Sequence, residues 1–273
     1  MMNKIKWITS LLVVGQLMLA QTFLQAQTVQ EQIAIPLSNP AKPGTLKVSM
    51  MQGDLLVKGY DGKEVVLRVE MPEVKTSISQ AKNGLRKIST NGIGLEAREQ
   101  NNVVYIESMS HNGEGNIEVL VPRNFSLNLH TVNGEMVKVE DVNGEIVVDN
   151  VNGGIMLKDV QGSAVLNTVN GDIGVSFDKV SPNAPMAFTN LNGDVEVALP
   201  ASTAFTVKAK TEHGEVYTDF DMKLRQDKER VKTSDSKGVY KVKIEDWVQG
   251  DVNGGGPEYL FKSLNGDILI RKK

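Results

Sequence analysis

Ten Asn-Gly pairs punctuate this chain, beginning at Asn83, Asn91, Asn112, Asn133, Asn143, Asn152, Asn170, Asn192, Asn253 and Asn265. That is far more than 25 glycines in 273 residues would give by chance. Asn and Gly tolerate positive φ, so each pair marks a tight turn. The flanks share a pattern. Val142-Asn143-Gly144-Glu145-Ile146-Val147-Val148, Val151-Asn152-Gly153-Gly154-Ile155-Met156-Leu157 and Val169-Asn170-Gly171-Asp172-Ile173-Gly174-Val175 align, as do the segments around Gly162, Gly193 and Gly266. Counted from each glycine, positions −2, +2 and +4 are apolar. That is period two, the signature of strands with one buried face, and it predicts those three positions as the interior.

The glycine spacing chooses between architectures. Gly134, Gly144, Gly153, Gly162 and Gly171 lie 10, 9, 9 and 9 residues apart, whereas Gly171, Gly193 and Gly214 lie 22 and 21 apart. An antiparallel meander of hairpins accounts for the short steps but not for their doubling. A flattened β-solenoid, β-helix or β-roll-like, with two strands and about 20 residues per turn accounts for both. Gly134, Gly153, Gly171, Gly193 and Gly214 would then stack on one edge, in that order, with Gly144 and Gly162 on the other. The expected fold is therefore all-β.

The N-terminal end reads differently. Lys4 and Lys6 precede an apolar stretch from Trp7 to Ala20, and Ala26 offers a cleavage point, so residues 1–26 read as a signal peptide. The apolar run is shorter than a membrane span requires and Gln16 interrupts it. Residues 27–110 read as a β-rich lead-in, irregular around Pro36, Pro40 and Pro43 and polar from Ser77 to Gly94. Residues 111–273 carry the repeat, with a charged insertion at about 221–238 between Gly214 and Gly254. The expected location is the periplasm, the outer surface or the medium, with no transmembrane segment after cleavage.

Charge and composition narrow the chemistry. The chain carries 30 basic and 33 acidic residues, net −3; losing two lysines with residues 1–26 leaves 28 against 33, or −5. A nucleic-acid partner would call for a basic excess. There is no cysteine, which excludes thiol catalysis, thiolate metal sites and a lipidated N-terminal Cys. The three histidines, His111, His130 and His213, are scattered, and His213 takes the Asn place of a turn. No nucleophile elbow, phosphate loop or metal-spaced His/Glu pair is present. No catalytic residue is assigned and no cofactor is expected. The short repeat does resemble calcium-binding β-rolls in length, and Glu135, Asp172, Asp194 and Glu215 would share one edge of the stack, with Gly154 interrupting them, so these four are the calcium candidates. They lack the second glycine of the calcium motif, and interleaved lysines such as Lys138 and Lys158 could offset their charge instead. Aromatic residues are 5% of the chain, and Trp247 is the single tryptophan beyond residue 26, which is thin material for a sugar shelf.

The block Gly-Asp-Leu-Leu-Val-Lys-Gly-Tyr-Asp-Gly-Lys-Glu-Val at 53–65, the Val-Asn-Gly-Glu-Ile repeats, and the ending from Val252-Asn-Gly-Gly-Gly-Pro257 through Ser263-Leu-Asn-Gly-Asp-Ile268 resemble the DUF4097-type, adhesin-like family of exported bacterial β-helical proteins. The resemblance covers most of residues 40–273. It implies a non-catalytic envelope or surface protein with a protein or glycan ligand, and it brings no catalytic residues. Two other roles fit an exported scaffold of this kind: an envelope-stress component that meets its partner through 221–238, and a small polysaccharide-active enzyme.

Overall fold

The structure is a computed structural model that describes residues 29–71, 94–108, 116–225, 229–234, 240–245 and 247–273. The segment 1–26 read as a signal peptide, most of the polar stretch 77–94, His111, and Asn83, Asn91 and Asn112 lie outside these residues. All described regular structure is β, and eighteen strands join in one continuous sheet.

Most pairings are parallel and offset by one repeat. Leu127 pairs with Ile146, and Val137 with Ile155. Ile173 pairs with Ile155 on one side and Val195 on the other. Strand Phe125–Glu140 therefore contributes to two ladders, its first half to one and its second half to the other, with Asn133-Gly134 at the crossing. Strand Asn143–Asn170 is long enough to do this and then return to the first ladder, where Asn167 donates to Asp149 and Asn170 to Asn152. One hydrophobic cluster, including Leu129, Val148, Leu166 and Phe188 from the first ladder and Val139, Leu157, Ile173 and Val197 from the second, lies between them. Each passage along the two ladders is a rung.

The rungs are not stacked in chain order. Strand Glu258–Asn265 lies between Met186–Asn192 and Phe205–His213, parallel to both. Ile268–Lys272 likewise separates Val195–Leu199 from Val216–Thr218. Gly266, not Gly193, is thus the neighbour of Gly214, which corrects the expected order of the edge. The other end repeats the device: Gly44–Gln52 lies between Val103–Ser108 and Phe125–Glu140. A rung inserted between two others has both sets of backbone groups paired, whereas a terminal rung would expose one. Antiparallel strands cover the outermost rungs, Leu95–Gln100 at one end and Val248–Val252 at the other. Aromatic rings fill the inserted region. Phe188 stacks on Phe261 at 5.3 Å, and Tyr259 on Phe205 at 4.8 Å. Burial pushes the Tyr259 hydroxyl up to about 12.

The predicted interior is right at +2 and +4 and wrong at −2 on the Asn-Gly edge. Ile155, Leu157, Ile173, Val175, Val195, Val197, Ile268 and Ile270 are all buried. At −2, Val169, Leu191 and Leu264 are 38%, 42% and 37% exposed. The residue buried there is at −3, and it is polar: Thr131, Asn150, Thr168, Asn190 and Ser263. The turn breaks the strict alternation of a strand, so the inward face changes parity across it. On the opposite edge Val142 and Val160, at −2 from Gly144 and Gly162, are fully buried.

Candidate functional site

Four rows of side chains meet at the Asn-Gly edge, and the turn geometry explains each. Gly171 has φ +148, and a Cβ there would lie 2.2 Å from the Gly153 carbonyl oxygen, so the rungs approach too closely for a side chain. That approach turns the glycine carbonyls inward, where they need donors. The −3 residues supply them. Asn150 Nδ2 donates to Gly153 O at 2.7 Å, Thr168 Oγ1 to the same oxygen at 3.1 Å, Asn190 Nδ2 to Gly193 O at 2.6 Å and Thr211 Oγ1 to Gly266 O at 2.9 Å. The buried polar column therefore chiefly satisfies backbone, with Thr131 donating to Asn150 Oδ1 and Asn190 Oδ1 left without a partner among the described residues.

The asparagines form the second row. Asn152 Nδ2 donates to Asn133 Oδ1 at 2.8 Å, Asn170 to Asn152 at 2.9 Å, Asn192 to Asn170 at 2.7 Å and Asn265 to Asn192 at 2.7 Å. The bonds all run one way, so the amides polarise one another. His213 stands in register with Asn265 and ends the row, in the Asn place the sequence gives it.

The third row is acidic and contains all four calcium candidates. Its order along the edge is Asp54, Glu135, the gap at Gly154, Asp172, Asp194, Asp267 and Glu215. Asp54 and Asp267 complete it and were not among the candidates. The aspartates hold backbone: Asp172 Oδ1 accepts from Asp194 N at 2.8 Å, Asp194 Oδ1 from Asp267 N at 2.8 Å and Asp267 Oδ1 from Glu215 N at 2.9 Å. Asp54 Oδ1 accepts from Glu135 N at 2.7 Å and Met136 N at 3.1 Å. A signal for Asp54 existed in the sequence, since Gln52-Gly53-Asp54 is a copy of the corner with Gln for Asn. No group of three or more His, Asp or Glu among the described residues is arranged to hold a metal ion. Lys138 lines a groove with Asp54 and Glu135, whereas Lys158 acts on Asp159 at the opposite edge.

The fourth row is the −2 position in neighbouring rungs, half-buried at Met51, Val132 and Val151 and exposed at Val169, Leu191 and Leu264. The period-two pattern places Val151, Val169, Leu191 and Leu264 inside, and the last three are surface instead.

The remaining candidates are dispersed. His130 is exposed on the outside of its ladder, beside Asp149. Trp247 is half-buried, with Lys208 and Lys210 amines 4.9 and 5.7 Å from its ring centre, so its face is already occupied. The charged insertion begins in the main sheet, where Met222–Leu224 pairs with Val248–Val252, and its Glu229–Ser234 pairs antiparallel with Tyr240–Glu245, just beyond it, in a separate two-stranded sheet. Ion pairs sit elsewhere. Lys273 bridges Asp159 at 2.7 Å and Asp178 at 2.6 Å, and the hydrogen bond from Lys273 holds the Asp159 carboxyl below its ordinary range. Arg225, bonded to Asp251, does the same for that carboxyl.

A family model described as Toastrack DUF4097 matches residues 23–253. No curated protein matches the chain. Among solved structures, a candidate cell adhesion protein from Clostridium sporogenes superposes with a TM-score of 0.51 at 14% identity, over 90% of this chain and 100% of that one. A candidate adhesin from Bacteroides fragilis gives 0.40 at 10% identity, over 90% and 97%. A candidate lipid-binding protein from Parabacteroides distasonis gives 0.28 at 10% identity, over 91% and 98%. The first likeness is one of fold; the other two are too distant to carry an argument.

Proposed function

The chain belongs to the Toastrack DUF4097 family, and from that premise we propose that it is an exported, non-catalytic β-solenoid that serves the cell envelope as an adhesin-like binding scaffold. The observation that carries this reading is how the repeated polar residues are used. The buried Thr and Asn column, the Asn row and the Asp row each spend hydrogen bonds on turns and on neighbouring rungs. Residues so committed supply a rigid frame and, among the described residues, these rows bring together no convergent acid, base or nucleophile. The parallel pairing of rungs 18 to 22 residues apart supports the solenoid. The signal-like segment 1–26 and the C. sporogenes fold neighbour support export to an adhesive role.

The test is fractionation of native cells combined with surface protease treatment. The expected result is a chain that begins near residue 27, absent from the cytoplasm and cleaved by protease added outside the cells. A cytoplasmic protein retaining Met1 would overturn the export reading. Turnover on a polysaccharide panel would overturn the non-catalytic one.

One feature favours a second role. Among the described residues, strands Glu229–Ser234 and Tyr240–Glu245 pair with each other and not with the main sheet, as suits a contact element, the segment 229–245, for an envelope regulator. Deleting it should leave the melting temperature of the stack unchanged and abolish capture of that partner; loss of the fold instead would make it structural.

A further inference from the structure

The Asn-Gly edge presents three outward rows side by side, and their chemistry differs. The aliphatic row lies on one side, half-buried at Met51, Val132 and Val151 and exposed at Val169, Leu191 and Leu264. The amide row lies at the corner, satisfied along its own length. The acidic row lies beyond it. Positions −2 and +1 are three residues apart, so the outer two rows are separated by at most about 10 Å. Along the stack each rung adds about 4.8 Å, so the aliphatic row is about 24 Å long over its six members.

The acidic row is uncompensated over most of its length. Arg68 and Lys138 line the groove at its Asp54 and Glu135 end, and Arg68 is held by Glu118 at 2.9 Å. Among the described residues, Asp172, Asp194, Asp267 and Glu215 have no ion-pair partner. Their spacing is within one Debye length, so they repel one another and act on a ligand together. Sheets do not ordinarily keep such a line of like charges beside exposed Val and Leu.

The geometry points to this edge as a docking strip for a cationic amphipathic segment of a protein partner, with apolar side chains on Val169, Leu191 and Leu264 and Lys or Arg on the Asp172 to Glu215 row. Charge and area choose this occupant. A second copy of the chain, laid strip to strip, would bring its own acidic row against either this acidic row or the aliphatic row, and neither pairing neutralises charge. An anionic glycan or nucleic acid would meet the same repulsion. A strip of roughly 24 by 10 Å is well below the ~800 Å² per partner of a stable domain interface, and it suits a peptide-sized element, about 16 residues if helical. The inference rests on the binding-scaffold reading above and names the face and the class of partner.

The probe is a synthetic amphipathic Leu/Lys peptide of about 18 residues, labelled for fluorescence anisotropy with the full chain. Two controls share its length: one with Glu for every Lys, and one with the same composition in scrambled order. Asp172→Asn, Asp194→Asn and Asp267→Asn are combined in one variant, which keeps each Oδ1 acceptor and removes the charge. Val169→Thr, Leu191→Thr and Leu264→Thr form the second. The expected result is saturable binding of the amphipathic peptide only, weakened at least about tenfold in each variant, with the loss of salt dependence confined to the Asp→Asn variant. Thermal melts establish that both variants are folded. Absence of binding to the natural sequence, equal binding of the scrambled peptide, or unchanged affinity in the Asp→Asn variant would overturn the proposal. So would light scattering that shows dimers abolished by the Thr variant, since the aliphatic row would then belong to a second copy. Cell-surface location is measured separately, so failure here leaves the scaffold reading standing.

Discussion

The two edges of this stack turn the chain between the same two ladders and do so with different chemistry. At the Asn-Gly edge the interior is polar, the corner is an amide row and the exterior is aliphatic and acidic. At the edge through Gly144 and Gly162 the interior is apolar, with Val142 and Val160 fully buried. There the exterior is ionic: Arg123 bridges Asp61 and Asp141, and Lys273 bridges Asp159 and Asp178. The ionic edge ties its rungs with two cations, Arg123 and Lys273, each shared by two carboxylates. The Asn-Gly edge needs no such pairs, because hydrogen bonds within and between rungs already hold it. Its aspartates spend Oδ1 on the next rung's backbone and, among the described residues, keep their charge without a basic partner. In the docking proposal above, that remaining charge is what a partner would meet.

The difference can be broken most severely at Gly171. Replacing it with Ala forces a Cβ against the Gly153 carbonyl at positive φ and should cost about 2–4 kcal/mol by denaturant unfolding. Gly174→Ala, three residues on, meets nothing within 4 Å and should be neutral or slightly stabilising. Equal effects would show that the rungs are not in this close contact.

A reciprocal exchange sharpens the contrast between the interiors. Thr168→Val removes one of two donors to Gly153 O, Asn150 remaining, and should destabilise by about 0.5–1.5 kcal/mol although the shapes match. Val160→Thr places a hydroxyl in the apolar interior of the other edge and should cost more, about 1–3 kcal/mol, for the opposite reason. A stabilising Thr168→Val would refute the polar interior. Asn170→Ala takes two bonds out of the amide row; the row is exposed, so about 0.5–1.5 kcal/mol is expected.

The ionic edge responds to acid. Asp159 titrates below its ordinary range in the folded chain because Lys273 donates to it. A carboxylate lowered by folding stabilises the native state above its unfolded pKa, near pH 4. That contribution is lost as pH falls through the lower, folded value. The melting temperature should fall below about pH 4, and Asp159→Asn should shrink the fall.

Much of this was legible in the sequence. The +2 and +4 apolar positions and the two glycine spacings specify parallel rungs, and the column through Glu135, Asp172, Asp194 and Glu215 lies on one edge as the spacing requires. Two features were hidden for physical reasons. The inward row at −3 mixes Thr, Asn and Ser, so it shows no hydrophobic period, while the exposed Val and Leu at −2 imitate a core. The insertion of the last rung was invisible because spacing along the chain carries no information on stacking order once a long excursion, here 213 to 265, intervenes. Glu212 at the −2 position was a hint: with Lys210 beside it, the aliphatic row stops there.

That inserted order is the premise of every row at the Asn-Gly edge, and disulfide trapping tests it directly in a chain without native cysteine. Glu196, Leu269 and Tyr217 point outward on successive rungs, Glu196 in register with Leu269 and Leu269 with Tyr217. Neighbouring rungs place Cα atoms about 4.8 Å apart, within disulfide range, and alternate rungs about 9.6 Å apart, outside it. Under mild oxidation the pair Glu196→Cys with Leu269→Cys should cross-link, as should Leu269→Cys with Tyr217→Cys, while Glu196→Cys with Tyr217→Cys should stay reduced. Efficient cross-linking of that third pair, with the first two remaining free, would contradict the account.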